Sequence, residues 1–191
     1  MAKTRVSHLA KEFNIEVKEL ILRLRELNIE VDENNKPLGL RPHEDFYTGK
    51  YIHRSSHLIL FNSKNEILIQ KRAATKVWFP NLYTFSVSGT VADETYEETI
   101  AREMAEEIGI SVPAKKLFEF PYFGILDKAW QCIFVGKSDE AITPDTHEMQ
   151  EVKWVSAELL KIDIKEHPEI YTPPFIIGMK KFFDEYYPII L

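Results

Sequence analysis

A chain of 191 residues, 45% hydrophobic and 28% charged, has room for one ordinary domain and a small appendage, with the composition of a soluble globular protein. A formal net charge of -6 argues against a general nucleic-acid or anionic-membrane binder but not against a phosphate substrate, because bound cations reverse the local sign. The single cysteine, Cys132, excludes an internal disulfide, and no apolar run resembles a signal peptide or a bilayer span, so a cytoplasmic location is expected.

Residues 1–31 read as a small helical subdomain. Thr4 or Ser7 can cap a helix carrying Val6, Leu9, Ala10 and Phe13; a second, over 16–27, places Val17, Leu20, Ile21 and Leu24 on one face. Asn14 and Asn28 are candidate stops, and 29–31 reads as extended. Six Lys and Arg stand here against five Glu, a balance that favours docking or homodimerisation over a grip on nucleic acid. The polar run 32–39 is the expected boundary, and 32–191 the main domain. Strands are expected at 57–61 and 66–72 around a turn at 62–65, then a loop at 73–84 and a short strand at 85–89. A hairpin pair at 118–123 and 130–135 comes next, with a further strand at 151–155 and a closing amphipathic helix carrying Phe175, Ile176, Met179, Phe182 and Phe183. Strands interleaved with two main helices predict an α/β (α+β) sandwich with a mixed sheet.

The chemistry concentrates at 94–110. At 3.6 residues per turn, Ile100, Met104 and Ile108 form an apolar stripe, widened by Ala101 and Ala105. Glu103, Glu106 and Glu107, at i, i+3 and i+4, converge on another face, where like charges call for a hard cation such as Mg²⁺. Residues 102–110 (REMAEEIGI), with Glu94 separated from Arg102 by seven residues, resemble the Nudix box, Gx5Ex7REUxEExGU. One position departs from it: Gly89 is separated from Glu94 by four residues, and Ser88 stands where five intervening residues would put the glycine.

That resemblance implies a helix–mixed sheet–helix sandwich and an Mg²⁺-dependent (or Mn²⁺-dependent) hydrolase cleaving a diphosphate linkage in a small organic substrate. It implies that Glu103, Glu106 and Glu107 bind metal with the Gly89 carbonyl, and that Arg102 pairs with Glu94. The general base stays open among Glu103, Glu148 and Glu151. Arg72 and Lys76 are candidate phosphate ligands, with Lys50 a weaker one; Trp78, Phe79 and Tyr83 are candidates to enclose the rest of the substrate.

The segment at 53–89, with EVKWVSAELL and YTPPF downstream, resembles isopentenyl-diphosphate isomerase and its hydrolase relatives. Carried over, the isomerase cysteine is Ser88, a metal histidine is Thr90, and the acids of a later strand fall near Lys128 and Trp130; only His53 keeps its counterpart. Isomerisation is therefore disfavoured, and a hydrolase on an isomerase-like frame is expected. A ligand sensor acting through its N-terminal helices is the alternative. His53 and His57 then read as hydrogen-bonded strand histidines and Cys132 as an inert buried thiol. Residues 4–31 also resemble the helical N-terminal subdomain of bacterial translation initiation factor two.

Overall fold

Asp32 turns the chain. Its carboxylate accepts the N–H groups of Asn34 (2.8 Å) and Lys36 (2.9 Å), and Asn35 takes φ +62°, so β1 (Leu27–Val31) folds back antiparallel as β2 (Pro37–Pro42). Residues 32–39, expected as a turn-rich connection, form a hairpin turn and the start of β2, and Asn28 lies inside β1; the helix it was expected to stop falls outside the described residues. Two backbone bonds tie this hairpin to later segments: Val31 N–H donates to Ile52 O (2.9 Å) and Ile29 N–H to Val91 O (3.1 Å). The computed structural model describes residues 27–190 together with Lys11, Asn14 and Glu16, and the two helices expected before residue 28 fall almost wholly outside them.

After a short helix α1 (His43–Phe46), β3 (His53–Phe61) and β4 (Glu66–Arg72) form a hairpin about Asn62, whose side-chain oxygen accepts the N–H groups of Lys64 and Glu66. The two strands pair only at Phe61–Ile67 and then diverge. Into the gap run β5 (Tyr83–Thr84), paired with β4, and β6 (Val87–Thr90), paired with β3. Between them the buried Ser86 hydroxyl accepts from Leu60 N–H (2.9 Å) and donates to Leu68 O (2.6 Å), replacing the ladder bonds the divergence removes. Part of the expected 73–84 loop is therefore strand.

Helix α2 (Tyr96–Glu107) starts at Thr95, which exchanges both bonds of a capping box with Glu98. β7 (Lys115–Phe123) and β8 (Lys128–Lys137) form an antiparallel hairpin, β8 runs parallel to β3, and β9 (Met149–Ser156) is antiparallel to β4. The result is a seven-stranded mixed sheet ordered β5-β4-β3-β8-β7, with β6 on β3 and β9 on β4. The chain then forms α3 (Ala157–Glu166), α4 (Pro173–Lys181), a π-helical stretch (Phe182–Tyr186) and α5 (Tyr187–Ile190).

Helices cover both faces because the central strands are apolar on both. Leu58 and Leu60 of β3 face a core with Ile100, Met104 and Ile108, while Ile59 and Phe61 face one with Leu160, Phe175, Met179 and Phe182. Ala101 and Ala105, expected to widen the α2 stripe, are exposed; Tyr96 and Thr99 are buried instead. α3 was not expected as a separate helix, although its signals were present: Ser156 accepts from Leu159 N–H, and Ala157, Leu160 and Ile164 are buried at helical spacing.

Gly178 lies inside α4 for a packing reason. A Cβ there would stand 2.8 Å from Phe85 Cζ and 3.2 Å from the Phe120 ring, both rings buried. Alanine gains about 1 kcal/mol in helix propensity but overpacks at a cost of about 1–3 kcal/mol. Gly178→Ala is expected to lower unfolding stability by about 1 kcal/mol in a urea titration, the difference between those two effects; a gain would show that the rings have room to move.

Candidate active site

A cavity of about 840 Å³ opens where β3 and β4 part, walled by both strands, β5, β6, the acidic face of α2 and the loop ahead of β5. It gathers every residue expected at the site except three. Tyr83 and Glu151 lie outside its lining and bond each other, hydroxyl to carboxylate at 3.1 Å. Lys50, the weaker phosphate candidate, also lies outside it and is exposed.

α2 brings its carboxylates to the cavity at graded depth: Glu107 is buried, Glu103 half-buried and Glu106 exposed. Glu107 accepts from Ser88 N–H (3.1 Å) and from the Gln70 amide (3.2 Å). Glu103 lies against Gly89, where a Cβ would stand 2.3 Å from the carboxylate, so the backbone can approach only as glycine. Arg102 pairs with Glu94 through Nη2 (2.7 Å) and Nε (3.3 Å), while its Nη1 reaches Glu103 (2.8 Å) and Glu106 (2.9 Å). The loop from Gly89 to Glu94, one residue shorter than the box pattern, is thereby fastened to the helix.

Burial pushes Glu107 up to about 8, aided by the neighbouring Glu103 carboxylate. Burial likewise pushes Glu103 to about 7, against the pull of Arg102 and with Glu106 and Glu148 adding to it. Carboxylates this crowded stay ionised at neutral pH only beside a cation. The donors are all hard oxygens, as a divalent ion requires, so their chemistry fits one. Among the described residues no three acidic or imidazole groups already stand at metal-holding spacing, and Arg102 supplies the positive charge between Glu94, Glu103 and Glu106.

Across the cavity, Arg72 donates Nε–H to Trp78 O (2.9 Å) and forms no ion pair among the described residues. Burial lowers its affinity for its proton, while Glu107, Glu148 and Asp127 favour the charge. Lys76 is paired with Glu148. Next to them stands an aromatic wall that sequence reasoning missed apart from Trp78: His53 stacks on Trp78 (5.0 Å between centroids), and Tyr47 and His43 meet Trp78 edge-on at 4.7 and 5.7 Å. Burial holds His43 near 4, hence neutral.

His53 and His57 are hydrogen-bonded strand histidines. His53 Nε2 pairs with Asp127 (3.0 Å), another residue without sequence signal. Burial depresses His57 to about 4, so one ring nitrogen donates and the other accepts. His57 Nε2–H donates to Gln131 Oε1, and the Ser88 hydroxyl donates to Nδ1 (2.9 Å). Both nitrogens are occupied, which leaves neither for a metal. Lys128 and Trp130, where the isomerase acids were expected, do not line the cavity; Gln131 does. A shift of one residue moves a strand position to the other face. Next to Trp130 the inward residue, Gln131, is no acid; next to Lys128 the inward residue is Asp127, bonded to His53, so the case against isomerisation rests on Ser88, Thr90 and Gln131. Cys132 is buried, and that burial pushes its thiol to about 12.

Residues 50–173 match the model of the NUDIX domain. The chain belongs to the Nudix family. Residues 1–35 separately match the N-terminal region of translation initiation factor IF-2. A prenyl-diphosphate phosphatase of Methanosarcina mazei is 50% identical over 160 residues, covering 82% of this chain and 94% of that protein. Isopentenyl-diphosphate Delta-isomerase 2 of Photorhabdus laumondii is 31% identical over 153 residues, covering 77% and 86%. Among solved structures, DR0079 from Deinococcus radiodurans superposes with a TM-score of 0.71 at 24% identity over 82% of this chain and 98% of that one, a likeness of fold. This Nudix protein is a diphosphate hydrolase of the isomerase-like branch, built on the expected mixed-sheet sandwich.

Proposed function

We propose that this Nudix protein hydrolyses a prenyl diphosphate with Mg²⁺. One observation carries the reading: a single cavity sets a half-buried arginine, without an ion pair among the described residues, and a bank of carboxylates beside a wall of aromatic rings, which suits a charged head on an apolar tail. The prenyl-diphosphate phosphatase of Methanosarcina mazei, at 50% identity, supports it.

Glu103, Glu106, Glu107 and the Gly89 carbonyl would hold the ion. When bound, Mg²⁺ would offset the negative charge that builds on the phosphate oxygens. Arg72 fits the terminal phosphate, since its guanidinium forks onto paired oxygens. Arg102 holds Glu94 and orients Glu103 and Glu106. Glu148, in the cavity but outside the metal set, is assigned the proton of the attacking water, and Glu103 is the alternative. The proton and hydroxyl of water then end on the two phosphate products. The separate match of residues 1–35 supports an N-terminal unit appended to the Nudix domain, with β1 at the junction: Val31 bonds Ile52, and Asn28 lines the cavity.

The test is a panel of prenyl, nucleoside and sugar diphosphates with Mg²⁺ or Mn²⁺, read as phosphate after a coupling phosphatase. Prenyl diphosphates are expected to turn over at least tenfold better than the others, and EDTA to reduce turnover at least 100-fold. A nucleoside or sugar diphosphate as the preferred substrate, or full activity in EDTA, would refute the reading.

A further inference from the structure

The mouth of the cavity carries an apolar lip. Four of the ten large apolar side chains exposed among the described residues lie on the two segments that meet there: Val77 (61% exposed), which lines the cavity, and Phe123 (46%), Ile125 (89%) and Leu126 (62%) on the turn bonded to Trp78. Single exposed apolar side chains are ordinary on a protein surface, but a cluster at the rim of a binding cavity marks a contact site.

The lip belongs to two segments, 76–79 and 122–127, held against each other. The Trp78 indole N–H donates to Leu126 O (3.0 Å), and the Phe79 and Tyr122 rings meet edge-on at 6.3 Å. Gly49, at φ +67°, packs on the same turn so closely that a Cβ would stand 2.0 Å from Ile125 O. The backbone beneath these side chains is therefore fixed. The lip is also continuous with the cavity: Val77 and Trp78 line it from one segment, and Asp127, bonded to His53, lines it from the other. The lining thus joins charged groups, among them Glu107 and Arg72, to the rings of Tyr47, His53 and Trp78, and through Val77 to aliphatic side chains in water.

We propose that the Val77–Ile125–Leu126 lip is a subsite for the far end of a long hydrocarbon tail, so that the protein favours prenyl diphosphates of three or four isoprene units over the five-carbon one. The inference rests on the prenyl reading above and deepens it. A short tail is covered by the aromatic wall alone, whereas each added unit can cover apolar surface that otherwise faces water.

The test compares kcat/KM for C5, C10, C15 and C20 diphosphates below their micellar concentrations. The full chain is assayed beside the double variant Ile125→Asp/Leu126→Asp and, on the opposite segment, Val77→Asp, with melting curves to confirm that each folds. The C20 to C5 ratio is expected to be tenfold or more in the wild type and to fall at least tenfold in the variants, through KM. Equal kcat/KM at every length, or a ratio that survives both variants, overturns the tail subsite alone. Sedimentation with phosphatidylcholine vesicles that the variants abolish, at an unchanged length ratio, reassigns the lip to a bilayer surface and also overturns it. Absence of hydrolysis at every length overturns the functional reading and the subsite together.

Discussion

Glu107→Gln is expected to lower kcat by about 10³ at saturating Mg²⁺ without loss of the fold, since removing one fixed charge-stabilising group from a dry site costs on that order. The substitution is close to isosteric, and both donors to Glu107, Ser88 N–H and the Gln70 amide, can still bond the amide oxygen. What disappears is a negative charge whose burial is unfavourable, as its upward shift to about 8 records. The variant should therefore melt no lower than the wild type in EDTA, and Mg²⁺ should stabilise it less. Glu148→Gln should lose about 10²-fold or more if that carboxylate takes the proton, while Glu151→Gln, outside the cavity, should stay within about twofold. Steady-state kinetics and melting curves on the three variants read all of this. Full activity in Glu107→Gln would show that the carboxylate bank is not where the cation sits.

Much of the site was legible because its chemistry lies on one helix. Spacings of three and four along α2 place Glu103, Glu106 and Glu107 together whatever the tertiary structure does, and the pairing of Arg102 with Glu94 comes from the same box. What failed was strand parity. Tyr83 and Thr84 are adjacent, yet only Thr84 lines the cavity, because successive side chains leave opposite faces of β5. The same alternation separates Trp130 from Gln131 on β8. A motif without an independent clue to which face is inward cannot resolve a one-residue difference, and the two-residue β5 has no pattern to read.

The aromatic wall and Asp127 were beyond reach for another reason. His43 and Tyr47 come from a four-residue helix and its end, Trp78 from a loop and Asp127 from a hairpin turn, and only the packing of these segments makes them neighbours. In the fold, the apolar runs of β3 and β4 were plain, but the insertion of residues 83–90 between them was not. It depends on Ser86, a single small polar residue whose bonds to Leu60 and Leu68 are visible only in space.

The stability of the protein should depend on pH in opposite senses with and without Mg²⁺. Two groups of shifted side chains compete. His43 and His57 sit near 4 in the folded protein against 6.5 for a free histidine, so their contribution is present above 6.5 and is lost as pH falls toward 4. Glu103 and Glu107 sit near 7 and 8 against 4.5 for a free glutamate, so theirs is present below 4.5 and is lost as pH rises through 7 and 8. In EDTA, between about pH 4.5 and 6.5, the unfolded chain holds two extra protons on the histidines and the folded chain two on the glutamates. The net difference is near zero, and the melting temperature should be flat. From about 6.5 to 8 only the glutamates differ, and it should fall. Saturating Mg²⁺ holds the glutamates ionised in the folded state and removes their contribution, which leaves the histidines alone. The melting temperature should then rise from about pH 4.5 to 6.5 and level off. The gap between the two melting curves should widen with pH across the whole range, because binding the cation expels protons from the carboxylates. A gap that is constant from about pH 5 to 8 would mean that the cation binds away from Glu103 and Glu107, whatever it does for catalysis.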